Sequence, residues 1–286
     1  MTTAGEIIEV GSLRIHHTVA GERGSPLLLL HGLGSSGYLE WGANLDFLAF
    51  ENRVFAPDLP GFGRSAKPPA PYGVAYFARF IDAYMDAVGL DSAVLVGASM
   101  GGRVALEVAL SNAARVDKLV LVDALGLGRP SFRPYYPLLA LPKVGEAMMG
   151  AIRLALNRLP PELVERLRRR WGRAAALDPA RDDDYVAQMK EILTSDGYTR
   201  SYLATLRSLA APDLLGGSDL ATVLAPLTVP VLIIWGANDP LFPLQHAHAA
   251  HALLAGSRLV VIEGAGHSPQ SDRPGEFNRA LVEFVR

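Results

Sequence analysis

The sequence predicts an α/β protein built on a mostly parallel central sheet, with helices on both faces and a long helical insertion. Three observations carry that prediction. Short apolar runs bounded by turn residues recur along the chain and alternate with amphipathic stretches through residue 122, the signature of strands joined by crossover helices. Several of these runs are continuously apolar, as at Leu27-Leu28-Leu29-Leu30, which suits parallel strands covered on both faces. The alternation then stops for about a hundred residues and resumes near residue 229. The division expected is therefore a core of residues 1–124 and 228–286, with residues 125–227 forming a helical cap on the sheet.

Composition narrows the function classes. The chain has 286 residues, half of them hydrophobic, enough to bury a substantial core. A formal net charge of −2 with both signs dispersed argues against nucleic acid as a main partner. There is no cysteine, which excludes disulfides, thiolate catalysis and Cys-ligated metals. Residues 1–10 lack a basic-then-apolar signal pattern. The apolar stretch 138–156 is interrupted by Pro142, Lys143, Glu146 and Arg153 and is too polar to span a bilayer. The expectation is a soluble, cytoplasmic protein.

In chain order, residues 6–10 and 13–19 form a hairpin around Gly11-Ser12. Adjacent His16 and His17 point to opposite sides of the second strand and cannot chelate one ion together. Residues 26–30 form a buried strand ending in His31-Gly32-Leu33-Gly34, where His31 is expected to brace the loop. Residues 53–57 form a strand ending in Asp58-Leu59-Pro60-Gly61-Phe62-Gly63-Arg64-Ser65. Residues 74–88 have helical spacing through Phe77, Phe80, Ile81, Tyr84, Met85 and Val88, and Gly89 closes the helix.

Residues 93–98 then form a buried strand running straight into a helix, with Gly97-Ala98-Ser99-Met100-Gly101 at the junction. A serine between two glycines at a strand-to-helix turn is the nucleophile-elbow pattern. The turn strains the serine backbone and lifts its hydroxyl from the sheet edge. Side chains two positions away would strike neighbouring backbone, hence the glycines. Residues 118–122 form the next strand, with Asp123 at its end. In the insertion, Arg166 to Arg173 is basic and Trp171 adds aromatic bulk. Residues 229–235 form a strand followed by Gly236-Ala237-Asn238-Asp239-Pro240, and 243–254 a helix. His246, His248 and His251 on that helix lack the i, i+4 spacing of a helical zinc site. Residues 258–263 form the last strand, ending in Gly264-Ala265-Gly266-His267-Ser268, and 275–286 a terminal helix.

Ser99, Asp239 and His267 all follow strands, so a parallel sheet places them on one edge. A serine hydroxyl needs a base within hydrogen-bond reach. An imidazole, with an ordinary pKa of about 6.5, can take and return that proton. A carboxylate fixes its tautomer and stabilises its cation. Asp239 is favoured for that carboxylate over Asp123. The Met100 N–H is one expected donor to a developing oxyanion, and the Leu33 N–H the other.

These residues, in the order Ser, Asp, His, make the sequence resemble the α/β-hydrolase superfamily along nearly its whole length. The matching stretches are His31-Gly32-Leu33-Gly34, Asp58 to Ser65, Gly97-Ala98-Ser99-Met100-Gly101-Gly102, Trp235-Gly236-Ala237-Asn238-Asp239 and Gly264-Ala265-Gly266-His267. The resemblance implies a serine hydrolase with a Ser99–His267–Asp239 triad, water as second substrate, and no cofactor or metal. Haloalkane dehalogenases and epoxide hydrolases of the superfamily carry aspartate where this chain has Ser99. A small-molecule carboxylic ester is the expected substrate. Ser99-Met100-Gly101-Gly102 and Glu276-Phe277-Asn278-Arg279 also resemble carbon–carbon hydrolases of meta-cleavage products. Those bind a substrate carboxylate with a lid arginine, for which Arg170 is the candidate here. They usually have a longer Gly-rich oxyanion loop, and a tryptophan where this chain has Ser268. A third reading that the superfamily allows is a ligand receptor retaining the triad.

Overall fold

The computed structural model describes residues 5–131, 135–158, 160, 179–210 and 219–286. Eight strands form one sheet in the order β1-β2-β4-β3-β5-β6-β7-β8. They are β1 (Gly5–Val10), β2 (Leu13–Ala20), β3 (Pro26–Leu30), β4 (Arg53–Pro57), β5 (Ala93–Ala98), β6 (Val116–Val122), β7 (Val231–Gly236) and β8 (Arg258–Ile262). β1 and β2 are antiparallel to each other, and β2 is antiparallel to β4. Every other pairing is parallel. The hairpin follows from its two-residue turn, and the parallel pairs from the helices that intervene.

β3, β5, β6 and β7 are buried almost throughout, as their unbroken apolar runs require. Their side chains feed two cores, one on each face. One face holds Leu28, Leu30, Leu95, Leu119, Leu121 and Ile233, packed under α2 (Val74–Ala87) and α3 (Met100–Ser111). The other holds Leu27, Leu29, Val94, Val96, Val120 and Ile234, covered by α1 (Gly37–Leu48) and the terminal helix. Alternate residues of each strand thus serve opposite faces.

α1 has no counterpart in the sequence reading. Its residues Gly37, Trp41, Gly42, Asn44, Leu45 and Leu48 are buried, a face containing two glycines and an asparagine. That composition blurs the apolar period on which a helix is recognised. The side chain of Ser36 caps it, accepting from the Leu39 N–H at 3.1 Å. Asn44 is satisfied by distant partners: its Nδ2 donates to the Gln270 carbonyl and to Asn278 Oδ1, each at 2.9 Å.

Between β6 and β7 the described chain is helical: α4 (Tyr135–Ala140), α5 (Val144–Arg158), α6 (Pro179–Thr194), α7 (Tyr198–Leu209) and α8 (Leu220–Leu224). These fall within residues 125–227, where the sequence pattern breaks. Beyond β7 come α9 (Gln245–Leu253), the single-turn α10 (Pro269–Asp272) and α11 (Pro274–Val285). None of the described helices is long and apolar enough to cross a membrane.

α11 is anchored to α1 by Phe277, which is fully buried with its ring 6.0 Å from that of Trp41. Phe277→Ala should lower unfolding stability by about 3–5 kcal/mol, the usual cost of an aromatic-to-alanine cavity. Urea unfolding followed by circular dichroism measures this; a loss under about 1 kcal/mol would show that α11 is not held by this contact.

Candidate functional site

The junction of β5 and α3 has the conformation its glycines suggest. Ser99 sits at φ 54° and ψ −116°, a region that costs a non-glycine residue on the order of 1–3 kcal/mol. A Cβ on Gly97 would strike the Gly101 carbonyl, and one on Gly101 the Leu30 carbonyl. Only backbone without side chains closes this turn. The Ser99 carbonyl is held by the N–H groups of Gly102, Arg103 and Leu125 at 3.1, 3.3 and 3.0 Å, so the strained residue is pinned from both α3 and the loop after β6.

The loops after β7 and β8 deliver the other two groups. His267 Nε2 lies 3.1 Å from Ser99 Oγ, and His267 Nδ1 lies 2.8 Å from Asp239 Oδ2. Asp239 Oδ1 accepts from the Leu241 and Phe242 N–H groups at 2.7 and 3.1 Å. Its carboxylate is wholly buried, whereas the His267 side chain is 22% exposed and faces the cavity. With Asp239 ionised, Nδ1 carries the proton and Nε2 is free to receive one from Ser99. This relay can remove the serine proton as an oxygen–carbon bond forms and deliver it to a leaving group afterwards.

The three sequence-predicted side chains therefore meet. Asp239, not Asp123, bonds His267. Asp123 lies behind it, with Oδ1 accepting from the Gly236 N–H at 3.0 Å. Ligand atoms of Asp123, Asp239 and His267 lie within 4.8 Å of one another, close enough for a metal ion. In the structure, however, Asp239 and His267 are committed to hydrogen bonds with each other and with their neighbours. Leu33 and Met100 line the cavity beside Ser99, and the Met100 N–H, first in α3, has no acceptor within the helix. Arg170 lies outside the described residues, as does the basic run around it.

The cavity has a volume of about 560 Å³. Ser99, His267, Gly32 and Leu33 form part of its wall. The helices between β6 and β7 supply Tyr136, Ala140, Tyr202, Leu206 and Leu209, and the loop after β7 supplies Leu241 and Phe242. No lysine or arginine is among its described lining residues. Among these described residues the charged side chain besides the relay is Glu40, which the sequence reading missed. Glu40 Oε2 accepts from the Gly32 N–H at 3.2 Å, and Oε1 from Gln270 Nε2 at 2.6 Å. It thus ties the loop after β3 to α10, two residues beyond the His267 loop. The signal was a lone acid in an unrecognised helix, and one of its two partners, Gln270, is remote in sequence.

Other polar residues of the motifs brace rather than face the cavity. His31 Nδ1 donates to the Gly32 carbonyl at 2.8 Å and Nε2 accepts from the Leu59 N–H at 2.9 Å. Complete burial pushes its pKa down, consistent with a neutral ring carrying one donor and one acceptor. Asp58 accepts from the Gly37 and Arg64 N–H groups, each at 2.7 Å, and from His16 Nδ1 at 2.9 Å. His17 turns instead to the Tyr84 hydroxyl at 2.7 Å.

With this geometry in place, comparison with known proteins defines the class. A model of the α/β hydrolase fold family matches residues 25–274, and the chain belongs to that family. It is similar to an uncharacterised protein of Mycobacterium tuberculosis, 35% identical over 274 residues, 93% of this chain and 76% of that protein. It is also similar to a 2-hydroxy-6-oxo-6-phenylhexa-2,4-dienoate hydrolase of Burkholderia cepacia, at 28% identity over 96% of this chain and 92% of that one. Among solved structures, a meta-cleavage product hydrolase of Pseudomonas fluorescens superposes with a TM-score of 0.75 at 27% identity, over 98% and 97% of the two chains.

An organophosphonate that modifies activated serines should label one residue, mapped by peptide mass spectrometry to Ser99. His267→Gln should slow that labelling by at least about 100-fold, since the base is removed. Labelling of a different serine, or an undiminished rate in the His267 variant, would break the link between geometry and reactivity.

Proposed function

We propose that this chain is a serine hydrolase cleaving carboxylic esters of neutral, largely apolar acyl groups. The observation that carries the reading is the Ser99–His267–Asp239 relay opening onto an apolar cavity. Ser99 Oγ attacks the ester carbonyl while His267 Nε2 takes its proton. Asp239, held by two backbone N–H groups, keeps the imidazole oriented and stabilises its cation. The Leu33 and Met100 N–H groups receive the oxyanion. Collapse expels the alcohol, protonated by His267, and leaves an acyl-Ser99. Water, deprotonated by the same imidazole, attacks that acyl group, and Ser99 regains its proton as the acid departs.

Asp239→Asn should lower kcat by up to about 10⁴-fold while leaving the fold intact, because the imidazole is then held in the wrong tautomer. A p-nitrophenyl ester assay with circular dichroism as control measures this. A drop of only a few-fold would remove Asp239 from the relay.

A second reading, hydrolysis of a carbon–carbon bond in a meta-cleavage product, is favoured by the similarity to a protein named as a dienoate hydrolase and to a solved meta-cleavage product hydrolase. Such dienoate substrates carry a carboxylate, and burying it unpaired is costly. Among the described residues the cavity offers no cation, and Glu40 adds a like charge. Arg170 is the proposed carboxylate partner under this alternative. Across a panel of p-nitrophenyl esters, kcat/KM should rise about fourfold per added methylene, at about 0.8 kcal/mol each, until the cavity is full. Arg170→Ala should leave ester turnover within a few-fold of wild type. If the wild type cleaves a vinylogous diketo acid faster than any ester, and Arg170→Ala selectively abolishes that activity, the carbon–carbon reading replaces the esterase one. Absence of turnover on every substrate would favour the receptor reading.

A further inference from the structure

We propose that Asp123 is held as a neutral carboxylic acid that shares its proton with Asp239, and thereby positions the carboxylate facing His267. This rests on the reading of Ser99, His267 and Asp239 as the catalytic relay and makes Asp123 a positioning residue behind it. Four features of Asp123 lead there. Its side chain is fully buried at the end of β6. Its backbone sits at φ 40°, a left-handed conformation that is costly for an aspartate and persists only where surroundings impose it. Its Oδ1 takes a single hydrogen bond, from the Gly236 N–H at 3.0 Å. Its Oδ2 is buried and meets no donor among the described residues.

A buried carboxylate oxygen without a donor is anomalous if ionised, because the desolvated charge has nothing to compensate it. A protonated Oδ2 is instead a donor, and it needs an acceptor. The acceptor at hand is Asp239, whose carboxylate lies within 4.8 Å in the same cluster. Two adjacent carboxylates in a dry site do not both ionise.

The donor count decides which of them keeps the proton. Asp239 accepts from Leu241, Phe242 and His267; Asp123 accepts from one N–H. Hydrogen bonds to the ionised form favour it, so Asp239 is the carboxylate and Asp123 the acid. Burial, and then the charge of Asp239, push the Asp123 carboxyl well above the usual carboxylate range. Asp272, on α10, adds a weaker push in the same direction; its Oδ2 accepts from the Gly266 N–H at 2.7 Å. His267 is reached through Asp239, and no salt bridge contacts Asp123 among the described residues.

The consequence for the relay is specific. A donor on the far side of Asp239 fixes its carboxylate plane and tempers its charge, and so sets how strongly it stabilises the His267 cation. Asp123→Asn preserves this arrangement, since an amide donates through Nδ2 and accepts through Oδ1 with no charge in either protein. Asp123→Ala removes the donor, leaves Asp239 with more charge and less restraint, and should strengthen its hold on the His267 cation.

The test uses the full chain, with both variants assayed on a p-nitrophenyl ester. Infrared difference spectra, wild type minus Asp123→Asn at neutral pH, should contain the carbonyl stretch of a protonated carboxyl group. Asp123→Asn should keep kcat within about threefold and leave the acid limb of kcat/KM in place. Asp123→Ala should lower kcat by about 10–100-fold and move that limb upward. Stability gives an independent sign. A carboxyl whose pKa is raised by folding contributes stability that is fully present below its unfolded pKa and is lost as pH rises through its folded value. The Tm of Asp123→Asn relative to wild type should therefore climb as pH rises above about 4.

The proposal is overturned if no protonated-carboxyl band is present. It is equally overturned if Asp123→Asn moves the acid limb down by about a unit, the result of deleting a real negative charge near His267. Should Asp123→Ala fail to fold, the infrared band and the Asp123→Asn profile still decide. An inactive wild type that keeps the band would remove the hydrolase reading and leave the shared proton standing.

Discussion

The rest of the site depends on the backbone of Ser99 being held where a serine does not sit by choice. The turn from β5 to α3 is tight enough that Gly97 and Gly101 each lie against backbone carbonyls, and no side chain fits at either position. β5 is central, paired in parallel to β3 on one side and β6 on the other. Its carboxyl end is therefore clamped between the loop carrying Gly32 and Leu33 and the loop carrying Asp123. Three N–H groups from two different elements converge on the Ser99 carbonyl. A strained residue persists only where the surroundings over-determine it, and a fully buried strand between buried neighbours meets that condition.

Around this turn, the loops at the carboxyl ends of the strands are fixed by buried polar side chains rather than by packing alone. His31 bridges the loop after β3 to the loop after β4. Asp58 collects donors from β2, from the start of α1 and from the loop at Arg64. Glu40 links Gly32 to Gln270. Each side chain joins segments far apart in sequence, and each is satisfied by more than one partner, the condition under which buried polar groups rigidify rather than destabilise. Gly32 passes close enough to Ser99 that a Cβ on it would lie 3.4 Å from the serine Cβ. Small shifts in these braces would therefore reach the proposed reacting atoms directly.

The electrostatics are one-sided. The carboxyl groups of Asp239, Asp272 and Glu40 lie at or near the floor of the site, with Asp123 behind Asp239, and among the described residues no cation lines the cavity above them. The charge is useful to a histidine that becomes a cation in the proposed reaction, and unhelpful to a substrate that brings its own carboxylate. That asymmetry weighs the proposed chemistry toward neutral acyl compounds. It also makes the protonation state of Asp123 consequential, because one unit of charge behind Asp239 alters the balance at His267.

Much of this architecture was legible in the chain itself. Eight short runs marked the eight strands, most plainly β3, β5, β6 and β7, which are buried almost throughout and have no polar alternation to obscure them. Gly97, Ser99 and Gly101 announced their turn, since steric exclusion of side chains is a local property that sequence records. Asp239 and His267 could be placed on the edge of Ser99 because parallel strands bring their carboxyl ends together. α1 was not legible, as its buried face mixes two glycines and an asparagine with Trp41, Leu45 and Leu48, and the partners of Asn44 and Trp41 lie in α10 and α11. Glu40 was hidden with it. Sequence favoured Asp239 over Asp123 for the carboxylate, although both stand after strands. Tertiary structure put Asp239 against His267 and turned Asp123 toward Gly236. Local sterics and hydrophobic period are written along the sequence, whereas hydrogen bonds among buried polar groups join residues distant in the chain and come into being only when the strands are packed side by side.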